Sequence, residues 1–265
     1  MKPLARVQLP ATVWKIRWDA AGQLLGLEVR DAARHETTFA AVDLNTGTLA
    51  WQGLQGHDPW WVGLEDCLHG WLVLHGYTDP GMPTHKGIAC YDAAARSWAF
   101  KHPALNFEWG TANGLLVSED KDGAKQYYEL TAGPSPQLAA LATGQALELL
   151  EVPDARRYHT QTPVAIEASQ EPFKNMAQQL QRITGHEAVM QLELLQMAGT
   201  SILAYYTALP QGQWVHHLGI FKQGAMLYSD VLEAQTALLN AQPFVVLQNQ
   251  LVYVQEKTQL VIVNL

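Results

Sequence analysis

Residues 57–85 concentrate side chains that could do chemistry. His57, Asp58, Asp66, Cys67, His69, His75, Asp79 and His85 fall in this stretch, including four of the ten histidines. Imidazole, thiolate and carboxylate are the donors of a transition-metal site, which needs three or four of them converging on one point. The histidines follow one another at intervals of 12, 6 and 10 residues. None of these is the short His-x-His or His-x-x-x-His spacing that sets two ligands on one face of an element. The spacing therefore predicts loop and edge-strand histidines along a hydrated rim, with no metal and no cofactor.

The same stretch opens with paired tryptophans, Trp60 and Trp61. An exposed indole beside His57, Asp58 and Asp79 suits contact with a ligand or a protein partner, because tryptophan offers a large apolar face and one N–H donor. Trp109 stands at the corresponding place one repeat later. These six residues are the candidate contact set. His216 and His217 are neighbours in a strand-like run, so their side chains are expected on opposite faces, unable to share an ion. For hydrolysis there is no Gly-x-Ser-x-Gly elbow and no glycine-rich phosphate loop. Carboxylates such as Asp19, Asp58, Asp66, Glu108, Glu119 and Asp120 are available, but their separation in space is not legible in a sequence. Asp120-Lys121-Asp122-Gly123 reads as a hairpin turn rather than a calcium loop.

The elements that must position these groups repeat. A turn residue followed by a dense apolar run occurs at Gly22–Val29, Gly70–Leu74, Gly114–Val117, Gly199–Tyr205 and Asn249–Val254. The turn residues are 48, 44, 85 and 50 positions apart. Three of those gaps match the roughly 40–50-residue period of propeller blades. Hairpins follow the first copies: Phe39–Leu44 turns through Asn45-Thr46-Gly47, and Ile88–Asp92 turns into Ser97–Phe100. Each unit starts with an aromatic strand, such as Val13–Asp19 or Asn106–Gly110, and Pro59–Gly63 is assigned the same place. The unit is an antiparallel four-stranded meander. Residues 171–184 depart from this pattern. Pro172 suits a first helical turn, Gly185 a helix stop, and Phe173, Met176, Ala177, Leu180 and Ile183 make one apolar stripe. This predicts a helix lying against sheet edges of a neighbouring unit. The 85-residue gap admits five blades, or six if Ala146–Val152 and Pro163–Ile166 are strands of an extra one; five is the preferred count. Residues 4–9 and 259–265 both read as strands, and the final unit is one strand short. A closed ring would pair the first strand with the last.

Bulk composition narrows the function classes. With 48% hydrophobic and 16% charged residues the chain can bury a sizeable core, here taken as one domain over 1–265. The formal net charge is −8 and the pI about 5.6. The densest basic spots are Arg156-Arg157 and the scatter around Lys121 and Lys125, so nucleic acid is not expected as a partner. No apolar run approaches the ~18 residues of a membrane helix, so no membrane association is expected. Cys67 and Cys90 match no zinc spacing and read as two buried free thiols in a reducing compartment. With an N-terminus that lacks a signal peptide's apolar stretch, they point to the cytoplasm.

The run Val42-Asp43-Leu44-Asn45-Thr46-Gly47-Thr48-Leu49-Ala50-Trp51 resembles the repeat of quinoprotein-type propellers, in which an Asp, a Thr-Gly turn and a following Trp recur. Tyr91–Trp98 follows the pattern without the Thr-Gly turn. The resemblance implies an all-β propeller and carries no activity. The chain is also similar to an uncharacterised bacterial family of propeller-like domains, which implies no function. The reading at this point is an all-β propeller of five four-stranded blades with a helical insertion at 171–184. It is expected to act as a non-enzymatic binding module whose ligand or partner is unknown. The alternatives are a hydrolase acting on a sugar or small polar substrate through carboxylates in a central channel, and a structural subunit docking through the 171–184 helix.

Overall fold

Aspartates start the hairpins. In the computed structural model, which describes the chain apart from residues 20, 22, 80 and 241 and the side chains of residues 82, 83 and 157, Asp43 Oδ1 accepts from the Thr46 amide at 2.9 Å. Gly47 then takes φ +68° and the chain reverses. Asp92 does the same with the amides of Ala94 and Ala95, at 2.9 and 2.8 Å, and Arg96 takes the positive φ without a glycine. A short carboxylate that holds two backbone amides fixes a turn wherever it occurs, which is why aspartate recurs in the repeat. Gly22, expected as the first turn residue, lies outside the described residues.

Strand β1 (Ala5–Gln8) precedes a first sheet of β2 (Thr12–Asp19), β3 (Leu24–Asp31), β4 (Glu36–Asp43) and β5 (Leu49–Gln55). The second sheet holds β6 (Val62–Leu68), β7 (Trp71–Asp79), β8 (Met82–Asp92) and β9 (Ser97–His102), and the third β10 (Asn106–Gly110), β11 (Gly114–Lys121), β12 (Ala124–Thr131) and β13 (Leu138–Leu141). All three are antiparallel meanders in chain order. Together with helix α1 (Thr143–Glu151) they make one compact unit, Pro10–Arg157. Its core lies between facing sheets: Phe39 meets Val62, Leu64 and Leu72 between the first and second, and Val73 and Ile88 meet Leu115 and Val117 between the second and third.

The other unit joins Met1–Leu9 to Tyr158–Leu265. Here β14 (Thr160–Gln161), β15 (Val164–Glu167) and helix α2 (Glu171–Thr184) precede β16 (Ala188–Met197), β17 (Thr200–Ala208), β18 (Trp214–Lys222) and β19 (Ala225–Thr236), then β20 (Phe244–Leu247), β21 (Gln250–Gln255) and β22 (Gln259–Asn264). The fourth sheet runs β15 to β19 in order, and the fifth runs β1-β22-β21-β20-β14. The first strand does pair with the last, antiparallel from Ala5↔Ile262 to Gln8↔Gln259.

Helix α2 has the expected bounds, and Gly185 closes it at φ +77°. Its stripe buries Phe173 and Leu180 against Ala188, Leu192, Leu203 and Tyr205. The helix thus covers a face of the fourth sheet rather than strand edges, because Leu203 and Tyr205, which it packs on, alternate along β17 with Ile202 and Ala204 of a different cluster. The six-blade alternative fails at residues 146–152. Leu147, Glu148, Leu149 and Leu150 belong to α1, where good helix formers follow a start at which Gln145 Oε1 accepts from the Ala142 amide at 3.1 Å. Val164–Glu167, the other half of that alternative, is the edge strand of the fourth sheet. The chain is nearly all β, with five antiparallel sheets of four or five strands, the sheet count of a five-bladed propeller. No helix among the described residues is long and apolar enough to cross a membrane.

Candidate functional site

Two irregularities in the second sheet gather three polar side chains. Between β6 and β7 the register steps from Leu64↔Leu74 to Asp66↔Val73, so Glu65 is an extra residue on its strand. Between β7 and β8 it steps from Leu74↔Ala89 to Gly76↔Lys86, so His75 sits at a second bulge, and Tyr77 then faces His85. Bulges re-aim side chains that regular alternation would send elsewhere. Here the result is that Glu65 Oε2 lies 2.7 Å from His75 Nδ1 and 2.8 Å from His85 Nδ1. The two imidazoles are stacked, 3.5 Å apart and 11° from parallel, and Tyr77 packs edge-on against both.

The three groups differ in access. The His75 side chain is 5% exposed, that of Glu65 20% and that of His85 43%. Among the described residues neither ring nitrogen of His75 has an aligned hydrogen-bond partner, although Nδ1 is in contact with Glu65. Burial pushes the Glu65 carboxyl up, but its contact with His75 and the nearby His75, His85 and Lys15 outweigh it and hold the group down at about 2. His75 is lowered, because burial disfavours the imidazolium more than Glu65 favours it, so the ring is neutral near neutral pH. Gly63 makes room for it: a Cβ there would lie 2.6 Å from His75 Nε2. Behind the group, Arg17 Nε donates to the Glu65 carbonyl at 3.2 Å. Buried Glu28 accepts from the Leu64 amide at 2.7 Å and from Arg30 Nε at 2.6 Å.

The other donors of the 57–85 stretch are used elsewhere. Asp66 is held by Arg156 through two bonds of 2.6 and 2.8 Å, and the same guanidinium holds Asp154. Burial raises the Cys67 and Cys90 thiols, and both are free and buried. His69 Nε2 contacts the Thr111 carbonyl at 2.9 Å. Glu65, the centre of the group, was absent from the sequence-derived set, as was any pairing of His75 with His85.

Nearby, a cavity of about 360 Å³ opens on the second sheet. Leu74, Ile88 and Trp98 give it an apolar floor, and His57, Lys86, Lys101 and His102 stand around it. No Asp or Glu is among its described lining residues, in a chain of net charge −8. Lys101 Nζ lies 3.8 Å over the Trp98 ring, and His102 Nδ1 accepts from the Ala104 amide at 3.3 Å. That bond leaves Nε2 as the protonated, donating nitrogen of the ring. Gly76 allows His57 its place, since a Cβ there would lie 2.8 Å from His57 Nε2.

Of the six expected contact residues, His57 lines this cavity. Trp60 and Trp61 precede β6 in a bend rather than within a strand, because Asp58 Oδ1 accepts from both of their amides, at 2.8 and 2.6 Å. Trp61 is exposed and packs edge-on to Tyr77, which also borders the cavity; Trp60 stacks near His35 under Arg30. Asp79 accepts from the Gly81 amide at 2.7 Å in a turn. Trp109 lies in the third sheet, where its indole donates to the Val152 carbonyl at 3.1 Å.

Comparison with known proteins assigns the chain no activity. Residues 18–98 match a family described as a domain of unknown function (DUF4905). No curated protein gives a significant match. Among solved structures, Pyrococcus horikoshii acylaminoacyl peptidase is 9% identical with a TM-score of 0.28, covering 93% of this chain and 36% of its own. The chain thus spans little more than a third of that peptidase. An uncharacterised protein of Listeria monocytogenes is 10% identical with a TM-score of 0.31, covering 96% of this chain and 81% of its own. A europium-containing methanol dehydrogenase is 11% identical with a TM-score of 0.28, covering 95% of this chain and 49% of its own. At such scores these likenesses carry no argument about fold or activity.

Proposed function

We propose that the chain is a non-enzymatic binding module that takes a small organic anion with an apolar body into the cavity of the second sheet. The observation that carries this reading is the pairing of an apolar floor with four basic side chains and no described carboxylate in a strongly acidic chain. A cavity of about 360 Å³ is at the small end of ligand-site volumes. Its lysines supply charge-assisted hydrogen bonds to a carboxylate, sulfonate or phosphate, while Trp98 and Ile88 take the apolar part. His57 belongs to this rim, and Trp61 extends it through Tyr77. The resemblance of residues 42–51 to quinoprotein-type repeats supports the sheet architecture and brings no cofactor with it. Two buried free thiols support a reducing, cytoplasmic setting.

The test is titration with 2-naphthoate and with its uncharged amide, followed by Trp fluorescence. The acid is expected to bind saturably and the amide about tenfold or more weakly, since one charge-assisted bond contributes ~1.5–3 kcal/mol. Lys101→Ala and Lys86→Ala should each weaken the acid and leave the amide unchanged. Equal binding of acid and amide, or insensitivity to both substitutions, overturns the reading.

A further inference from the structure

We propose that Glu65, His75 and His85 form a binding site for one divalent transition-metal ion of the zinc class. One donor atom from each lies within 4.8 Å of the others. Two imidazole nitrogens and one carboxylate oxygen are a donor set that suits zinc and its first-row neighbours, and three protein ligands leave a position open for water or a bound molecule.

A second observation points to an ion rather than to hydrogen bonding alone. A carboxylate oxygen flanked by two imidazoles could simply accept two N–H bonds. In that arrangement each N–H would aim at the oxygen. The His75 Nδ1 contact at 2.7 Å is not so aligned, and neither nitrogen of this 5%-exposed side chain finds another partner among the described residues. A buried imidazole with two unsatisfied nitrogens is costly unless something else uses a lone pair.

The geometry also says what must move. An ion bound at ~2.0–2.2 Å would hold its ligand atoms about 3.3 Å apart, somewhat wider than the present 2.7 and 2.8 Å. Two parallel rings cannot both direct an in-plane lone pair at one point, so one ring must turn. His85 is the ring that can, because its side chain is 43% exposed whereas His75 is sealed against Tyr77 and Gly63. His75 and Glu65 form the fixed half of the site, and His85 closes it.

The experiment uses the whole protein, stripped with a chelator and titrated with Co²⁺ and Zn²⁺ by calorimetry and visible absorption. The expected result is uptake of one Co²⁺ per chain with a ligand-field band that Zn²⁺ abolishes. Glu65→Gln and His85→Ala should each weaken uptake at least tenfold while circular dichroism stays that of the parent; both positions are accessible enough to change without unfolding the sheet. Absence of saturable uptake means a hydrogen-bonded cluster only and overturns the proposal. So does uptake that is unchanged in both variants, which would put the ion elsewhere. Naphthoate binding is read separately and does not depend on the ion, so this proposal and the anion-binding reading can fail independently.

Discussion

The second and fourth sheets each set a carboxylate beside a buried imidazole at a place where the strand register slips, and the two pairs are built to opposite ends. In the fourth sheet His216 Nε2 lies 3.6 Å from Glu193 Oε2, and both side chains are 1% exposed. Register steps flank His216 on both sides, the ring stacks on Tyr206 at 4.0 Å, and Gln191 holds the other Glu193 oxygen at 2.7 Å. Among the described residues no third metal-type donor atom converges on this pair, and both side chains are sealed from solvent. In the second sheet the same two chemical groups gain His85, which is half in water. A bulge alone therefore does not set a polar group within reach of solvent; in the second sheet His85 does so, and in the fourth sheet no described group of this kind does.

If that contrast is right, the two sheets should answer differently to the loss of a histidine. The largest effect is expected for His216→Ala, which opens a cavity and leaves a carboxylate oxygen without its neighbour: about 2–4 kcal/mol of stability lost in urea unfolding. A cost near zero would remove the claim that the fourth-sheet pair is structural. Next comes Gly63→Ala, whose Cβ would press on the fixed ring of His75 at 2.6 Å. It should cost ~1–3 kcal/mol as an overpacked site and displace the ring, seen as a shifted His75 resonance by NMR. An unshifted resonance would mean that Gly63 does not seat the ring.

Acid sharpens the comparison from the other side. His217, next to the sealed pair, is lowered to about 4 by burial and by the nearby imidazoles of His186 and His216. Its ring stacks on Tyr205, and its Nε2 contacts the Thr207 hydroxyl at 2.9 Å. An unfolded histidine takes its proton near pH 6.5. Between that pH and about 4 the unfolded chain binds the proton and the folded one does not, so stability falls as pH falls through that window. Allowing for partial exposure, the loss is about 1–2 kcal/mol. His217→Phe should flatten this part of the pH–stability curve, and an unchanged slope would assign it to other groups. The smallest effect is expected for His85→Ala, within about 0.5 kcal/mol, as for other surface positions. A larger cost would make His85 a structural residue and blur the contrast.

What the sequence revealed and what it hid have a common cause. Helix α2 was legible to its last residue because proline, stripe and glycine are all local signals. Four strands of the fifth sheet were legible because three apolar runs one strand short of a unit left the first strand to complete it; β14, the fifth strand, is two residues long and carries no such signal. The polar group was not, because spacing along the chain is a poor guide to neighbours across a sheet. Intervals of 10 and more residues looked unpromising, yet two hairpin turns fold them onto one row. Chain reversal between β6 and β7 and again between β7 and β8 brings residue 75 close to both 65 and 85, a signal present in the sequence once the strands are assigned. The one-residue slips that complete the alignment carry no such mark. The cavity was missed for a related reason: its basic residues Lys86, Lys101 and His102 are dilute in sequence and lie on two adjacent strands.

The pairing of β1 with β22 also imposes an order on assembly. Ala5 meets Ile262 and Gln8 meets Gln259. On the ribosome β1 is made about 250 residues before the strand it pairs with. The three sheets of Pro10–Arg157 contain only neighbouring pairings and can form as they emerge, whereas β1 must wait with an unpaired edge for about 250 residues of synthesis, over ten seconds at ordinary rates. Of the described strands β1 thus waits longest for its partner, and until then its edge is open to pairing with the wrong neighbour.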